Sequence, residues 1–211
     1  MAVEVELKAH LDDFEPVKER LSSLGRYYRS YQKSDSYWLG PQAAPTLRIR
    51  RESGVEADGT AYESVTATFK AKEITGGIEV NDEREFTVSD AALFEELLCR
   101  LGMSTARCKE KKGWAWHIAA EEAGQAESAK RPGSASRPLI LAELSLVKDL
   151  GWFLELEIML DGECKQDIAE SRRRLLALLA RLEVSADKIE ERPYTVLLSL
   201  NPGLPSSPLI H

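Results

Sequence analysis

The chain has 211 residues, of which 43% are hydrophobic and 30% charged, and a formal net charge of −7. It is long enough to bury a substantial core in one large domain and too apolar for a disordered one. The acidic balance argues against a general nucleic-acid surface, which needs a basic face, and no apolar run approaches the roughly 20 residues of a membrane helix.

In chain order, Val3-Glu4-Val5-Glu6-Leu7-Lys8 alternates apolar and charged residues with the period of a strand, which puts Glu4, Glu6 and Lys8 on one face. Asp12-Asp13 and Pro16 set up a helix in which Phe14, Val17, Leu21 and Leu24 recur at helical spacing until Gly25 stops it. Short strands are expected over 32–39, 46–52 and 63–72, divided by turns at Gly40-Pro41 and Asp58-Gly59. Gly76-Gly77 precedes another alternating run, 78–88. Ser89-Asp90 then caps a helix over 91–101, ended by Gly102.

A strand is expected over 106–119. Residues 120–138, rich in Ala, Glu, Ser, Gly and Pro, read as a loop between strands without a catalytic role. Strands over 139–148 and 151–160 follow, then a long helix over 165–182 and a closing segment, 194–200. The Pro/Ser-rich tail, 201–211, reads as frayed. Alternating strands with few crossover links predict an antiparallel sheet in the α+β class. The cysteines Cys99, Cys108 and Cys164 form no CxxC pair and read as reduced thiols. With no secretion signal read at the N-terminus, the expected location is cytoplasmic.

The charge pairs recur from strand to strand. Arg48 and Arg50 share a face, as do Lys70 and Lys72, Glu83 and Glu85, Lys109 and Lys111, Glu143 and Ser145, and Glu155 and Glu157. One such strand is an ordinary solvated face. Across the chain the pairs are sorted, with acids on the first strand and the Glu155 strand and bases on the Arg48, Lys70 and Lys109 strands. A solvated surface has no need of sorting. A closed barrel whose wet interior binds an anion and a metal does. Arginine forks and lysine point charges suit a chain of phosphates. Glu4, Glu6, Glu155 and Glu157 supply hard oxygen ligands for Mg²⁺ or Mn²⁺.

Glu4-x-Glu6-x-Lys8 resembles the ExExK signature of the CYTH superfamily, the triphosphate tunnel metalloenzymes. Leu47-Arg48-Ile49-Arg50, Thr68-Phe69-Lys70, Glu83-x-Glu85, Lys109-x-Lys111 and Leu150-Gly151-Trp152-Phe153-Leu154-Glu155-Leu156-Glu157 resemble its later strands in the same order. Tyr194 with Leu197-Leu198 resembles its closing segment. The match covers about residues 2–200. It implies a single domain over 1–200: an eight-stranded antiparallel β-barrel forming a closed tunnel, with flanking helices.

The resemblance also implies roles. Lys8, Arg48, Arg50, Lys70, Lys72, Lys109 and Lys111 would hold the triphosphate. Glu4, Glu6, Glu155 and Glu157 would hold the metal, and Glu4, Glu6, Lys8 and Glu143 would act in catalysis. Glu83, Glu85 and Ser145 would complete the tunnel. Ser145 stands where many members have an aspartate, and Glu143, on the same face, compensates; Asn81 stands where some have an arginine.

The expected activity is metal-dependent cleavage of tripolyphosphate, ATP or thiamine triphosphate, with a triphosphatase preferred because no base pocket is evident. The alternatives are a class IV adenylyl cyclase and a non-catalytic polyphosphate or nucleotide binder. No nucleic-acid or membrane partner is expected; the sequence itself gives no oligomeric state, and the resemblance is compatible with a homodimer. Trp114, Trp116 and Trp152 read as core, Tyr37 and Trp38 as more open, His10 as surface, His117 as structural, and Arg172-Arg173-Arg174 as a solvated helix face.

Overall fold

The structure, a computed structural model, describes residues 3–40, 47–75, 78–119, 139–162 and 164–200; at 70–75 and 78–83 it describes the backbone alone. The expected loop over 120–138 and the tail 201–211 lie outside these residues, as do the side chains of Lys70, Lys72, Asn81 and Glu83.

Eight strands follow the alternating runs: β1 (Val3–Leu11), β2 (Arg26–Leu39), β3 (Leu47–Glu56), β4 (Ala61–Thr75), β5 (Ile78–Thr87), β6 (Ser104–Ile118), β7 (Ile140–Val147) and β8 (Gly151–Leu160). The helices are α1 (Glu15–Leu24), α2 (Ala91–Arg100), α3 (Lys165–Arg181) and α4 (Tyr194–Leu200). The class is α+β. Every strand pair is antiparallel, and the order β1-β5-β4-β3-β2-β6-β7-β8 returns to β1, which is the circuit of a barrel. The barrel is not fully closed: among the described residues β1 meets β5 over Val3–Leu7 against Ile78–Asp82, whereas its ladder with β8 runs from Val3 to Leu11.

Period two decides which residues face the interior. On β1 the odd residues Val5, Leu7 and Ala9 are fully buried on the outer face, in a cluster with Leu154, Leu156 and Ile158 of β8, Leu175 and Leu178 of α3 and Leu182 just after it. Val17 and Leu21 of α1 join it, so α1 and α3 cover this side of the barrel. The even residues Glu4, Glu6 and Lys8 are thereby turned inward. Opposite, α2 covers β2 and β3 through Leu98 against Trp38 and Ile49. Asp90 caps α2 by accepting from the Leu93 N–H at 2.9 Å, and Gly102, at φ 79°, ends the turn after it in the left-handed region.

The closing segment, 194–200, is a helix that Tyr194 starts. Two sequence expectations change here. Trp38 is 5% exposed because α2 lies over it. Arg174, in the basic run of α3, is buried rather than solvated. Trp116 is core as expected, and Trp114 and Trp152 stack with Phe14 against that core.

Gly113 of β6 sits between Tyr31 of β2 and Ser145 of β7 in the ladder. A Cβ there would lie 2.0 Å from the Leu144 carbonyl oxygen, so β6 and β7 approach too closely for any side chain. Gly113→Ala should therefore cost about 1–3 kcal/mol or more. A denaturation midpoint equal to wild type would show that the two strands are not so closely apposed.

Candidate functional site

Inward-facing residues of the barrel line a cavity of about 1100 Å³. Its walls carry Glu4, Glu6 and Lys8 from β1, Arg48 and Arg50 from β3, Arg107, Lys109 and Lys111 from β6, Glu143 from β7 and Glu155 and Glu157 from β8. Every expected site residue whose side chain is described, apart from Ser145, is among the cavity-lining residues; Ser145 is fully buried just behind Glu155. Pro193, Tyr194 and Thr195 at the start of α4 complete the lining.

The charges form separate groups. Asp35 of β2, fully buried, takes a two-pronged grip from Arg50, Nε to Oδ1 at 2.7 Å and Nη2 to Oδ2 at 2.9 Å. Lys109 Nζ stands 2.9 Å from the same Oδ2. Burial alone would favour the neutral acid, but Lys109 and Arg50 outweigh it and hold Asp35 well below the usual carboxylate range. Two cations on one carboxylate leave this group with a net positive charge.

A second group spans β2, β6, β7 and β8. Lys33 donates to Glu143 Oε1 at 2.5 Å, and Lys111 donates to Glu143 Oε2 at 2.9 Å. Lys111 also donates to Glu155 at 2.7 and 2.9 Å. Glu155 further accepts from Tyr194 Oη at 2.9 Å and Ser145 Oγ at 3.3 Å, and Ser145 meets the Tyr31 hydroxyl at 2.9 Å. Burial opposes charge on Lys111, but Glu143 and Glu155 outweigh it and keep the ammonium protonated. Burial pulls Lys33 down to about 8; Glu143 opposes that pull while Lys111 and Arg50 add to it. With two lysines and two glutamates, this quartet is neutral overall.

Around these groups, Arg48 donates to Thr68 at 3.0 Å, and Thr68 donates to Glu85 at 3.0 Å. Lys8 donates to the Arg192 carbonyl at 2.8 Å. The ammonium groups of Lys8 and Lys109 lie 4.7 and 4.8 Å from the Tyr194 ring centre, so one aromatic ring supports two cations. At another part of the cavity, Arg29 meets Glu52 at 3.1 Å, and Tyr62 donates to Glu52 at 2.7 Å.

The carboxylates Glu6 and Glu157 are direct partners across the β1–β8 ladder, and Glu4 lies two residues along the same face. Their oxygens are of the hard type that Mg²⁺ or Mn²⁺ prefers, so the donor set fits a divalent ion. Among the described residues no three His, Cys, Asp or Glu side chains are gathered into a ready-made metal cage. Magnesium commonly takes only one or two protein carboxylates and completes its shell with water and substrate phosphates.

Sequence reading missed the contribution of β2. Tyr31, Lys33 and Asp35 project inward from that strand, and Lys33-Ser34-Asp35 carries the same period-two pairing read elsewhere. His10 packs edge-on against Phe153, and His117 stacks on Tyr28 with ring centres 4.3 Å apart, so neither joins the charged groups.

Oppositely charged side chains are thus arrayed round the interior of an antiparallel barrel. The chain matches the CYTH domain over residues 2–194 and belongs to the CYTH family. No curated protein gives a significant match. Among solved structures it is similar to PH1819 from Pyrococcus horikoshii OT3, with a TM-score of 0.69 and 24% identity over 93% of this chain and 98% of that one. It is similar also to a candidate adenylate cyclase from Vibrio parahaemolyticus, with a TM-score of 0.68 and 18% identity over 93% and 97% of the two chains. A third is HpAC1 from Hippeastrum, described as an adenylyl cyclase candidate with a dominant triphosphatase activity, at a TM-score of 0.56 and 10% identity over 98% and 99%.

The Asp35 group makes a pH prediction. Below the ordinary aspartate value of 3.8, the unfolded chain binds a proton that native Asp35 refuses. Its contribution to stability is thus fully present above that value and is lost as pH falls towards the native one. Asp35→Asn should show a shallower acid loss than wild type. At pH 7 it should be less stable by roughly 3–5 kcal/mol, because Arg50 and Lys109 lose their buried counter-charge. Superimposable acid-melting profiles for the two proteins would contradict the assignment.

Proposed function

We propose that this CYTH protein cleaves a triphosphate-bearing substrate inside the barrel in a metal-dependent reaction, and that it acts as a triphosphatase. The observation that supports the reading is that one cavity gathers both kinds of group, Arg48, Arg50, Lys109 and Lys8 as cations and Glu4, Glu6 and Glu157 as carboxylates, with Glu6 directly opposite Glu157 on the β1–β8 ladder.

Arg48 offers a planar guanidinium to phosphate oxygens, Arg50 adds charge from a guanidinium fixed by Asp35, and Lys8 and Lys109 add point charges beside the Tyr194 ring. Lys70 and Lys72 of β4 would extend the set. Glu4, Glu6 and Glu157 would hold Mg²⁺ or Mn²⁺ with the substrate's own oxygens, and the ion would supply positive charge against which the transferred phosphoryl group is polarised. Glu155, engaged by Lys111 and Tyr194, would position that wall rather than face the ion alone.

In hydrolysis, a water oxygen bonds to the terminal phosphorus as the bridging P–O bond breaks; the bond's electron pair goes to the leaving diphosphate, and the proton the water loses passes to solvent. The cations stabilise the charge that builds on the leaving oxygens.

Two features support hydrolysis over cyclisation. The aromatic ring of Tyr194 is occupied by Lys8 and Lys109, and that of Tyr31 lies beside Lys33 at 4.2 Å, so these rings serve as cation platforms rather than base-stacking surfaces. The Hippeastrum protein, of similar fold, is described as predominantly a triphosphatase. The cyclase alternative has the Vibrio neighbour in its favour. There the ribose 3′-hydroxyl would attack the α-phosphorus and diphosphate would leave.

The deciding assay incubates purified protein with Mg²⁺ or Mn²⁺ and tripolyphosphate, ATP or thiamine triphosphate. Orthophosphate release from tripolyphosphate is expected, and Glu6→Gln should lower kcat by about 10²–10³-fold. Cyclic AMP from ATP would replace this reading with the cyclase. Tight binding with no product from any of the three would replace it with a non-catalytic polyphosphate or nucleotide binder.

A further inference from the structure

We propose that Glu143 is a fixed internal anion that fills the Lys33–Lys111 cation pair and thereby limits how many phosphates the barrel accepts. The inference rests on the polyphosphate reading above and goes beyond it, to the length of chain that is recognised.

Lys33 and Lys111 are direct partners across the β2–β6 ladder, and both are about 95% buried. Two ammonium groups facing each other away from solvent repel. The carboxylate of Glu143 resolves this by bridging them, one oxygen to each nitrogen, at 2.5 and 2.9 Å. An anion with two oxygens set between two ammonium groups is what a phosphate presents when it binds a lysine pair. Glu143 thus stands where a phosphate group would otherwise be held.

The pair adjoins the positive part of the cavity. Lys33 and Lys111 lie two residues from Asp35 and Lys109 on their respective strands, and Asp35 and Lys109 are themselves direct ladder partners. Asp35 with Arg50 and Lys109 carries net positive charge, whereas Lys33 and Lys111 are cancelled by Glu143 and Glu155. Glu52, 3.9 Å from Lys33, adds further negative charge behind them. The attraction for phosphate therefore ends at Glu143, although two more lysines continue the row. Both of its oxygens are engaged by lysine, which makes Glu143 a specificity determinant rather than a general base.

The test compares wild type, Glu143→Gln and the double variant Lys33→Met/Glu143→Leu, which replaces the ion pair with apolar groups and removes the extra cation. Binding of tripolyphosphate and of linear tetraphosphate is measured by calorimetry, and the effect of orthophosphate on the melting temperature is measured for each protein. Glu143→Gln should improve tetraphosphate affinity relative to tripolyphosphate by at least about tenfold, the worth of one charge-assisted contact. The double variant should show no such gain. An unchanged ratio in Glu143→Gln, or an equal gain in the double variant, overturns the proposal.

The orthophosphate arm separates this inference from the reading beneath it. If wild type binds neither polyphosphate, the triphosphate reading fails. The role of Glu143 then stands if orthophosphate stabilises Glu143→Gln but not wild type, and falls if the two respond alike. If Glu143→Gln is recovered unfolded, refolding with orthophosphate is the readout. Rescue supports the proposal, and its absence while the double variant folds normally overturns it.

Discussion

The structure turns on the cost of holding ionised side chains inside a β-barrel. Each buried charge must be met by an opposite charge, a hydrogen bond, water or a ligand. Asp35, Lys33, Lys111 and Glu143 are each buried to about 94% or more, and each has a partner within 3 Å. The outer shell makes this affordable. The apolar residues of β1, β7 and β8 under α1 and α3 form a continuous core that fixes the strands. With the outer face committed to packing, the inner face is free to be polar, as period-two alternation requires.

Not all interior charge has the same purpose. The Lys33–Glu143–Lys111–Glu155 quartet is internally balanced and behaves as structure. The Asp35–Arg50–Lys109 group keeps an excess of positive charge, and the Glu6–Glu157 pair sets two carboxylates against each other across a ladder. In the proposed function the first group would receive the polyphosphate and the second its divalent ion. Tyr194 of α4 ties them to the rest: its hydroxyl reaches Glu155 and its ring supports Lys8 and Lys109. Burial beside Glu155 raises the phenol well above its usual value, so the hydroxyl remains a donor.

Much of this was legible in the sequence because alternation reports the face of a residue directly. Val5 and Leu7 against Glu4, Glu6 and Lys8 is readable from six residues, and the barrel class followed from repeating that reading strand by strand. β2 escaped because its outward residues Gln32, Ser34 and Ser36 are polar, so the strand shows little apolar–charged contrast. Its inward Lys33 and Asp35 therefore went unmarked. Alternation also says nothing of partners. Lys33 meets Glu143 across 110 positions of chain, a pairing set by strand order alone. Trp38 looked open because nothing local announces that α2, some fifty residues later, lies over it. Tyr194 begins a helix because α4 packs Leu197 with Tyr194, Phe153 and Val147 against one end of the barrel, a tertiary demand invisible in a seven-residue segment.

The central claim is that the charged interior of the barrel takes up a polyphosphate with a divalent cation. The most direct measurement is a crystal structure of the protein grown with tripolyphosphate and Mn²⁺, whose anomalous signal locates the ion. The account predicts phosphate density against Arg48, Arg50 and Lys109, and a manganese peak between the ligand and the Glu4, Glu6 and Glu157 carboxylates. A ligand bound outside the barrel, or a manganese peak remote from those carboxylates, would contradict it.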